Sequence, residues 1–281
     1  MADSPVAGSA VPIRDAATVM LIRDASKRLE VFLQCRTATM PFAPGMTVFP
    51  GGSVDSDDYR ADVAWHGPST EDFAQLLGTT SDLARALVCA AVRETFEECG
   101  VLLATSHDGS PIEKRWFDDH MHRARSDLAD RSISLADLLN RHRFILRADL
   151  LAPVSTWITP IGNARRYNTR FFLAALPEGQ EADGHTTEAD RCYWCAPSTA
   201  LEEWTDGKTI LLPPTWTQIR TLAGYSALAD LPIPFDTTTN EPIPVIESAP
   251  MNDATGWRLG FPHCEEYFEG LPEGAKRGLR P

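Results

Sequence analysis

Arg93-Glu94-Thr95-Phe96-Glu97-Glu98-Cys99-Gly100-Val101 decides how this chain is read. Taken as one helix, it places Glu94, Glu97 and Glu98 at i, i+3 and i+4, so three carboxylates share one stripe. Carboxylates crowded in this way repel, and a divalent cation between them is the least costly way to keep all of them ionised. An all-oxygen set suits Mg²⁺, which prefers octahedral oxygen coordination and keeps several waters, or Mn²⁺. Arg93 cannot ligate a cation, and its expected task is to hold a glutamate in place from beside it. Gly100 follows as a helix stop.

Working outward, Ser81 is the expected N-cap of this helix, with Asp82 in its first turn. Leu83, Leu87, Ala90, Ala91 and Thr95 form the side that faces a core. Upstream, Thr18 to Ile22 and Val31 to Gln34 read as strands, and Thr47-Val48-Phe49 as a short strand entering Pro50-Gly51-Gly52. Between Gly52 and Ser81 lies a polar, acidic stretch, about residues 53–80, expected as a surface excursion with one short helix at Glu71 to Leu77. Downstream, Trp116 to Arg125 and Ser134 to His142 are expected helices, and Pro153 to Thr159, Asn168 to Ala175 and Ala189 to Cys195 expected strands. Pro197 to Thr205 and Thr215 to Ala223 read as two more helices. Ile243 to Glu247 and Trp257 to Phe261 could form a late strand pair, either folding back locally or pairing two chains as a homodimer. The division is residues 1–15 as a flexible start, 16–230 as one catalytic domain, and 231–281 as a Pro-rich extension packed on it.

The chain has 281 residues, 43% hydrophobic and 23% charged, as expected of a soluble globular protein with one substantial core. A formal net charge of −13 argues against nonspecific nucleic-acid binding, which needs a basic footprint. A polyanionic substrate must then be met by local arginines and metal ions. Arg36, Arg165, Arg166 and Arg170 are candidate phosphate contacts. Met1 to Pro12 lacks a basic n-region and a long apolar run, and no membrane span is expected, so the expected location is cytoplasmic. Cys192-Tyr193-Trp194-Cys195 is a solitary CxxC in a strand-like run, read as core cysteines beside an aromatic pair because a structural zinc needs four ligands.

Gly51-Gly52 and the acidic helix together resemble the Nudix box, which reads Gly, five residues, Glu, seven residues, Arg-Glu, an aliphatic residue, any residue, Glu-Glu, any residue, Gly, an aliphatic residue. Thr95 stands where the aliphatic residue belongs. Gly52 and Arg93 are 41 positions apart (93 − 52) where the pattern has 14, so 27 extra residues intervene. The first Glu has no clear counterpart: counting back from Arg93 reaches Arg85, while Asp55 and Asp58 lie near Gly52. A split box resembles the peroxisomal type of coenzyme A diphosphatase. So do the flanks Ala16-Ala17-Thr18-Val19, Arg36, Phe42-Ala43-Pro44-Gly45, Trp157-Ile158-Thr159-Pro160 and Arg170-Phe171-Phe172-Leu173-Ala174.

The resemblance implies a Nudix fold: α/β, an α/β/α sandwich with a mixed central sheet plus helical insertions. It implies hydrolysis of a nucleoside diphosphate derivative, a small molecule, with Mg²⁺ or Mn²⁺ held by Glu94, Glu97, Glu98 and the carbonyl of Gly52. Coenzyme A or an acyl derivative is the implied substrate, cleaved to phosphopantetheine and adenosine 3′,5′-bisphosphate. The catalytic set would be Glu97, Glu98, Arg93 and Glu188, with Glu98 or Glu188 as the base, and Arg36, Arg166 and Arg170 would meet substrate. The alternatives are a Nudix hydrolase of ADP-ribose or a dinucleotide, and a catalytically silent Nudix-fold sensor.

Overall fold

Strands β1 (Ile13–Ala25) and β2 (Arg28–Arg36) pair antiparallel, with Ile22 opposite Val31. Their side chains alternate between two cores. In β1, Ala17, Val19 and Leu21 enter one core and Met20 and Ile22 the other. This is the period of two expected of a strand buried on both faces. The computed structural model describes residues 11–25, 28–231, 241–253 and 256–272. Among them no helix is long and apolar enough to cross a membrane.

Next come β3 (Thr47–Val48) and β4 (Gly51–Ser53), which pair with β2 and β1 respectively. Helix α1 (Ser56–Tyr59), strand β5 (Trp65–His66) and helix α2 (Thr70–Leu77) precede the acidic helix α3 (Ser81–Cys99). Strand β6 (Ala104–Ser106), helices α4 (Lys114–Ala129) and α5 (Leu135–His142) and strand β7 (Phe144–Arg147) follow. The chain then returns to the main sheet with β8 (Ala152–Ile158), β9 (Arg166–Ala175) and β10 (Ala189–Cys195). Helices α6 (Pro197–Thr205) and α7 (Pro213–Leu222), strands β11 (Val245–Glu247), β12 (Ala249–Asp253) and β13 (Gly256–Gly260) and helix α8 (Cys264–Gly270) complete it.

The main sheet runs β10-β2-β1-β9-β8-β11. It is mixed: β1 with β9 and β8 with β11 are parallel, the other pairs antiparallel. Helix α3 lies on one face with α2, α4 and α5; α6, α7 and α8 cover the other. This is the α/β/α sandwich of the Nudix fold. The second core is aromatic: Tyr267, wholly buried, has its ring 5.2 Å from that of Trp204 and 5.3 Å from that of Trp216.

Three expectations are corrected. The stretch between Gly52 and Ser81 is not only a surface excursion, because Ala61, Phe73, Ala74 and Leu77 are buried in the α3-side core. Its polar residues cap and solvate α2, whose Ser69–Asp72 capping box closes the helix start, while Phe73, Ala74, Leu76 and Leu77 form the buried face of that helix. The late strands do not pair with each other: β11 adds parallel to β8, and β13 pairs with β12. The N-cap of α3 is Thr80, whose side chain accepts from the Leu83 amide, and not Ser81. The short sheet β5-β7-β6 had no period long enough to read from the sequence.

Candidate functional site

Helix α3 ends where its sequence says it should. Gly100 takes the left-handed conformation, φ 73°, and its amide donates to the Phe96 carbonyl. The last turn therefore stands still, with its acids beside β4. A Cβ on Gly52 would lie 2.5 Å from the carboxyl carbon of Glu94, and one on Gly51 would strike the β1 backbone at Thr18. Only glycine lets this strand come so close to the helix.

Arg93 is the fork of the site. Its Nε and Nη2 donate to the two oxygens of Asp58 at 3.0 and 2.9 Å, and Nη2 also reaches the Ser53 carbonyl at 3.0 Å. Nη1 donates to Glu94 at 2.8 Å and to Glu97 at 3.4 Å. Asp58 is 2% exposed, and its Oδ2 also accepts the Asp55 amide. The position left open in the Nudix pattern is thus filled. Asp58 follows Gly52 after five residues, an aspartate where the pattern has glutamate, and the 27 extra residues fall between Asp58 and Arg93. The spacing from Gly52 was the available signal; counting back from Arg93 across the insertion hid it. Arg85, reached by that count, donates instead to the Ala61 carbonyl.

Glu94 and Glu97 line a cavity of about 910 Å³ together with Gly51, Gly52, Arg36 and Glu188. Glu98 sits behind them, 3% exposed. Its Oε2 accepts the Gly51 amide at 2.8 Å and a short hydrogen bond from Gln34 Nε2. Gln34 was not singled out in the sequence. It falls on the same face of β2 as Phe32, where alternation calls for an apolar residue, and that mismatch was its signal.

Burial raises all three glutamates. Glu94 is pushed up to about 7, chiefly by burial, with Arg93 opposing and Glu97 adding to the rise. Glu97 is raised by burial against the pull of Arg93. Glu98 is raised well above the carboxylate range by burial, then by Glu94 and Glu188. The acids have more negative charge than their cationic neighbours balance. Among the described residues, no three His, Cys, Asp or Glu side chains already converge as a metal-binding group. The reason is visible: the Arg93 fork takes an oxygen of Glu94 and faces Glu97, while Glu98 is tied to Gly51 and Gln34. The donor chemistry fits a hard divalent cation, all oxygen and in excess negative charge.

Glu188 and Arg36 face each other across the cavity wall at 3.2 Å. Arg36 is largely buried, and its Nε has no hydrogen-bond partner. Thr37 donates its amide to the Glu188 carbonyl at 3.0 Å. The other arginines divide. Arg165 lines the cavity. Arg166 does not: it donates to the Thr159 carbonyl and faces Glu247 at 3.5 Å. Arg170 is buried and paired with Asp15. These partners place Arg166 and Arg170 in the sheet's framework, away from the substrate position that the sequence suggested. His185 stays an exposed loop residue, its ring 5.3 Å from that of His122. Cys192 and Cys195 are free thiols on β10, both raised by burial.

Part of the cavity lining is apolar and aromatic: Phe42, Trp157, Ile161, Tyr167 and Pro213, with Leu259 from the C-terminal segment.

Residues 69–222 match the NUDT19 Nudix domain family. The human protein named acyl-coenzyme A diphosphatase NUDT19 is 31% identical, over 70% of this chain and 61% of its own length. The chicken protein of the same name is 27% identical, over 78% and 70%. A Caenorhabditis elegans protein named putative nudix hydrolase 7 is 29% identical, over 77% and 62%. This chain thus spans roughly three-fifths of the human and nematode relatives. Among solved structures, a NUDIX hydrolase from Alicyclobacillus acidocaldarius superposes with a TM-score of 0.65 at 28% identity, covering 78% of this chain and 95% of that one.

Proposed function

The chain belongs to the NUDT19 Nudix domain family, and from that premise we propose that it is a divalent-metal-dependent pyrophosphohydrolase acting on coenzyme A or an acyl derivative. The products would be phosphopantetheine, free or acylated, and adenosine 3′,5′-bisphosphate. The observation that carries the reading is the under-compensated acid cluster of Glu94, Glu97 and Glu98 at the Gly51–Gly52 strand, on a cavity that also holds Arg36. The relatives' names support the substrate class.

In this proposal Glu94, Glu97, Glu98 and the Gly52 carbonyl hold Mg²⁺ or Mn²⁺. When bound, the metal would neutralise the diphosphate and make a water more acidic. Arg93 keeps Glu94 aimed while Asp58 keeps Arg93 aimed. Arg36 lines the cavity and offers its guanidinium charge to a phosphate oxygen, and Arg165 offers a second cation on the cavity wall. Glu188 is the better placed of the two candidate bases, because its side chain is half-exposed to the cavity whereas Glu98 is buried and doubly hydrogen-bonded. The apolar side chains of the lining suit the pantetheine arm and an acyl chain. The proposed setting is the cytoplasm.

The test is a substrate panel of coenzyme A, an acyl derivative, dephospho-coenzyme A, ADP-ribose and a dinucleotide, with Mg²⁺, Mn²⁺ or a chelator, and products identified by mass. Cleavage of coenzyme A at the diphosphate, abolished by chelator, is expected. Much faster cleavage of ADP-ribose would overturn the substrate; no cleavage of any diphosphate would overturn the activity. Charge-assisted phosphate contacts are worth roughly 1.5–3 kcal/mol. Arg36→Ala is therefore expected to raise KM for coenzyme A more than for dephospho-coenzyme A. Equal effects would place Arg36 on the diphosphate instead of the 3′-phosphate.

A further inference from the structure

We propose that Arg125 is a positioning residue that clamps the loop carrying Glu188 to the acidic end of α3. This rests on the role given above to Glu188.

Arg125 comes from α4, outside the Nudix box, and is 5% exposed. It does not line the cavity. Its Nη1 donates to both oxygens of Asp183 at 2.7 and 2.9 Å. Nη2 donates to the His185 carbonyl at 3.0 Å and to the Glu97 carbonyl at 3.1 Å, and Nε reaches the same Glu97 oxygen at 3.3 Å. Asp183 completes the joint: its amide donates to the Cys99 carbonyl at 3.0 Å, and its Oδ1 accepts the His185 amide at 2.9 Å. One guanidinium thus bonds a helix end and a loop at once.

The helix end needs it. The Glu97 carbonyl belongs to the last turn of α3, where carbonyls lack intrahelical partners. That turn carries Glu97 and Glu98 at the negative end of the helix dipole and no basic residue of its own. Arg125 supplies the missing positive charge from a neighbouring helix. Gly100 leaves the room: a Cβ there would stand 3.0 Å from Arg125 Nη1 and 3.1 Å from Asp183 Oδ2.

A helix cap alone would need only the Glu97 contact. The bonds to Asp183 and His185 do something more, because Glu188 lies three residues beyond His185 and enters the cavity. The loop is therefore pinned twice, by Arg125 at its start and by Thr37 and Arg36 at Glu188. The distance between Glu188 and the glutamates of α3 is set by these two anchors.

The test is a double-mutant cycle of Arg125→Gln and Glu188→Gln, with amide exchange of residues 184–188 measured alongside. Arg125→Gln is expected to lower kcat about tenfold with KM changed less than about twofold, and to add less than about twofold once Glu188 is already Gln. Faster exchange in the loop is expected in Arg125→Gln and in Asp183→Asn. If Arg125→Gln does not fold, Asp183→Asn, which spares the bonds to Glu97, takes its place in the cycle. Independent, multiplying losses would make Arg125 merely structural and overturn the proposal, as would a costless Glu188→Gln or unchanged loop exchange. The exchange measurement needs no substrate. Unchanged exchange therefore sinks the clamp even in an active enzyme, while inactivity on every diphosphate with faster exchange sinks only the assigned activity.

Discussion

Two groups of buried charge touch at Arg93, and they are built on opposite principles. On one side Asp58 meets the guanidinium with both oxygens and has a backbone amide as well. On the other, Glu94 and Glu97 share one nitrogen of Arg93, Glu98 has only the Gly51 amide and Gln34, and all three are raised. Burial works against the charge of Arg93, yet Glu94 and Asp58 outweigh it and raise its pKa. The matched side holds geometry. The unmatched side keeps a deficit that a proton or a bound cation can fill, which is why it marks the site better than any single acid does.

The largest effect separates the two sides by stability. Asp58→Ala leaves a buried guanidinium with two of its five hydrogen bonds gone, and breaking such a pair costs about 3–5 kcal/mol. Denaturant unfolding should show that loss, with activity falling too because Glu94 and Glu97 lose their anchor. A loss of under about 1 kcal/mol would mean that the Asp58–Arg93 pair does not hold the helix end.

Glu98→Gln should do the reverse. The amide keeps the shape but removes a buried, raised carboxylate, so the melting temperature should hold or rise. The turnover should fall by at least about 100-fold, the scale for losing a metal ligand. Near-normal turnover would remove Glu98 from the reaction; a large fall in stability would mean that its charge is compensated after all.

This contrast also explains what was legible beforehand. Glu94, Glu97 and Glu98 lie within five residues of one helix and Gly100 has a local conformational reason, so helix and stop could be read directly, whereas Gly52 makes room for Glu94, 42 positions along the chain. Asp58 meets Arg93 across 35 positions, and Gln34 meets Glu98 across 64; no period links them. Thr18 to Ile22, Val31 to Gln34 and Asn168 to Ala175 could be read as strands from their apolar, β-branched and aromatic residues. The insertion misled because most of its residues are polar, while Phe73, Ala74 and Leu77 are enough to seat α2 in the core.

A smaller effect follows from the raised pKa values. In the unfolded chain the glutamates titrate in the ordinary range near 4.3. In the folded protein Glu94 titrates at about 7, so between these values the folded state binds more protons. Stability from this source is present below the ordinary range and is lost as pH rises through about 7. In chelator, the melting temperature of the wild type relative to Glu94→Gln should fall from pH 5 to pH 7.5. Saturating Mg²⁺ or Mn²⁺ should flatten that difference. A flat difference without metal would mean that Glu94 is already compensated.

The smallest effect is expected three residues from the largest. Asp55 faces Arg131 at 2.9 Å, as close as Asp58 lies to Arg93. But the Arg131 side chain is 76% exposed, against 11% for Arg93. An exposed pair gains little, because water screens it and ordering the long side chain costs entropy, so about 0–1 kcal/mol is the expected scale. Arg131→Ala leaves the cap that Asp55 gives α1 untouched and should change stability by less than about 0.5 kcal/mol, with that small change vanishing in high salt. Arg131 also lines the cavity rim, so KM for a diphosphate substrate is the more sensitive readout. If Arg131→Ala destabilised the fold as much as Asp58→Ala, burial would not be what distinguishes the two pairs, and the acid-rich turn as a whole would have to be treated as one network.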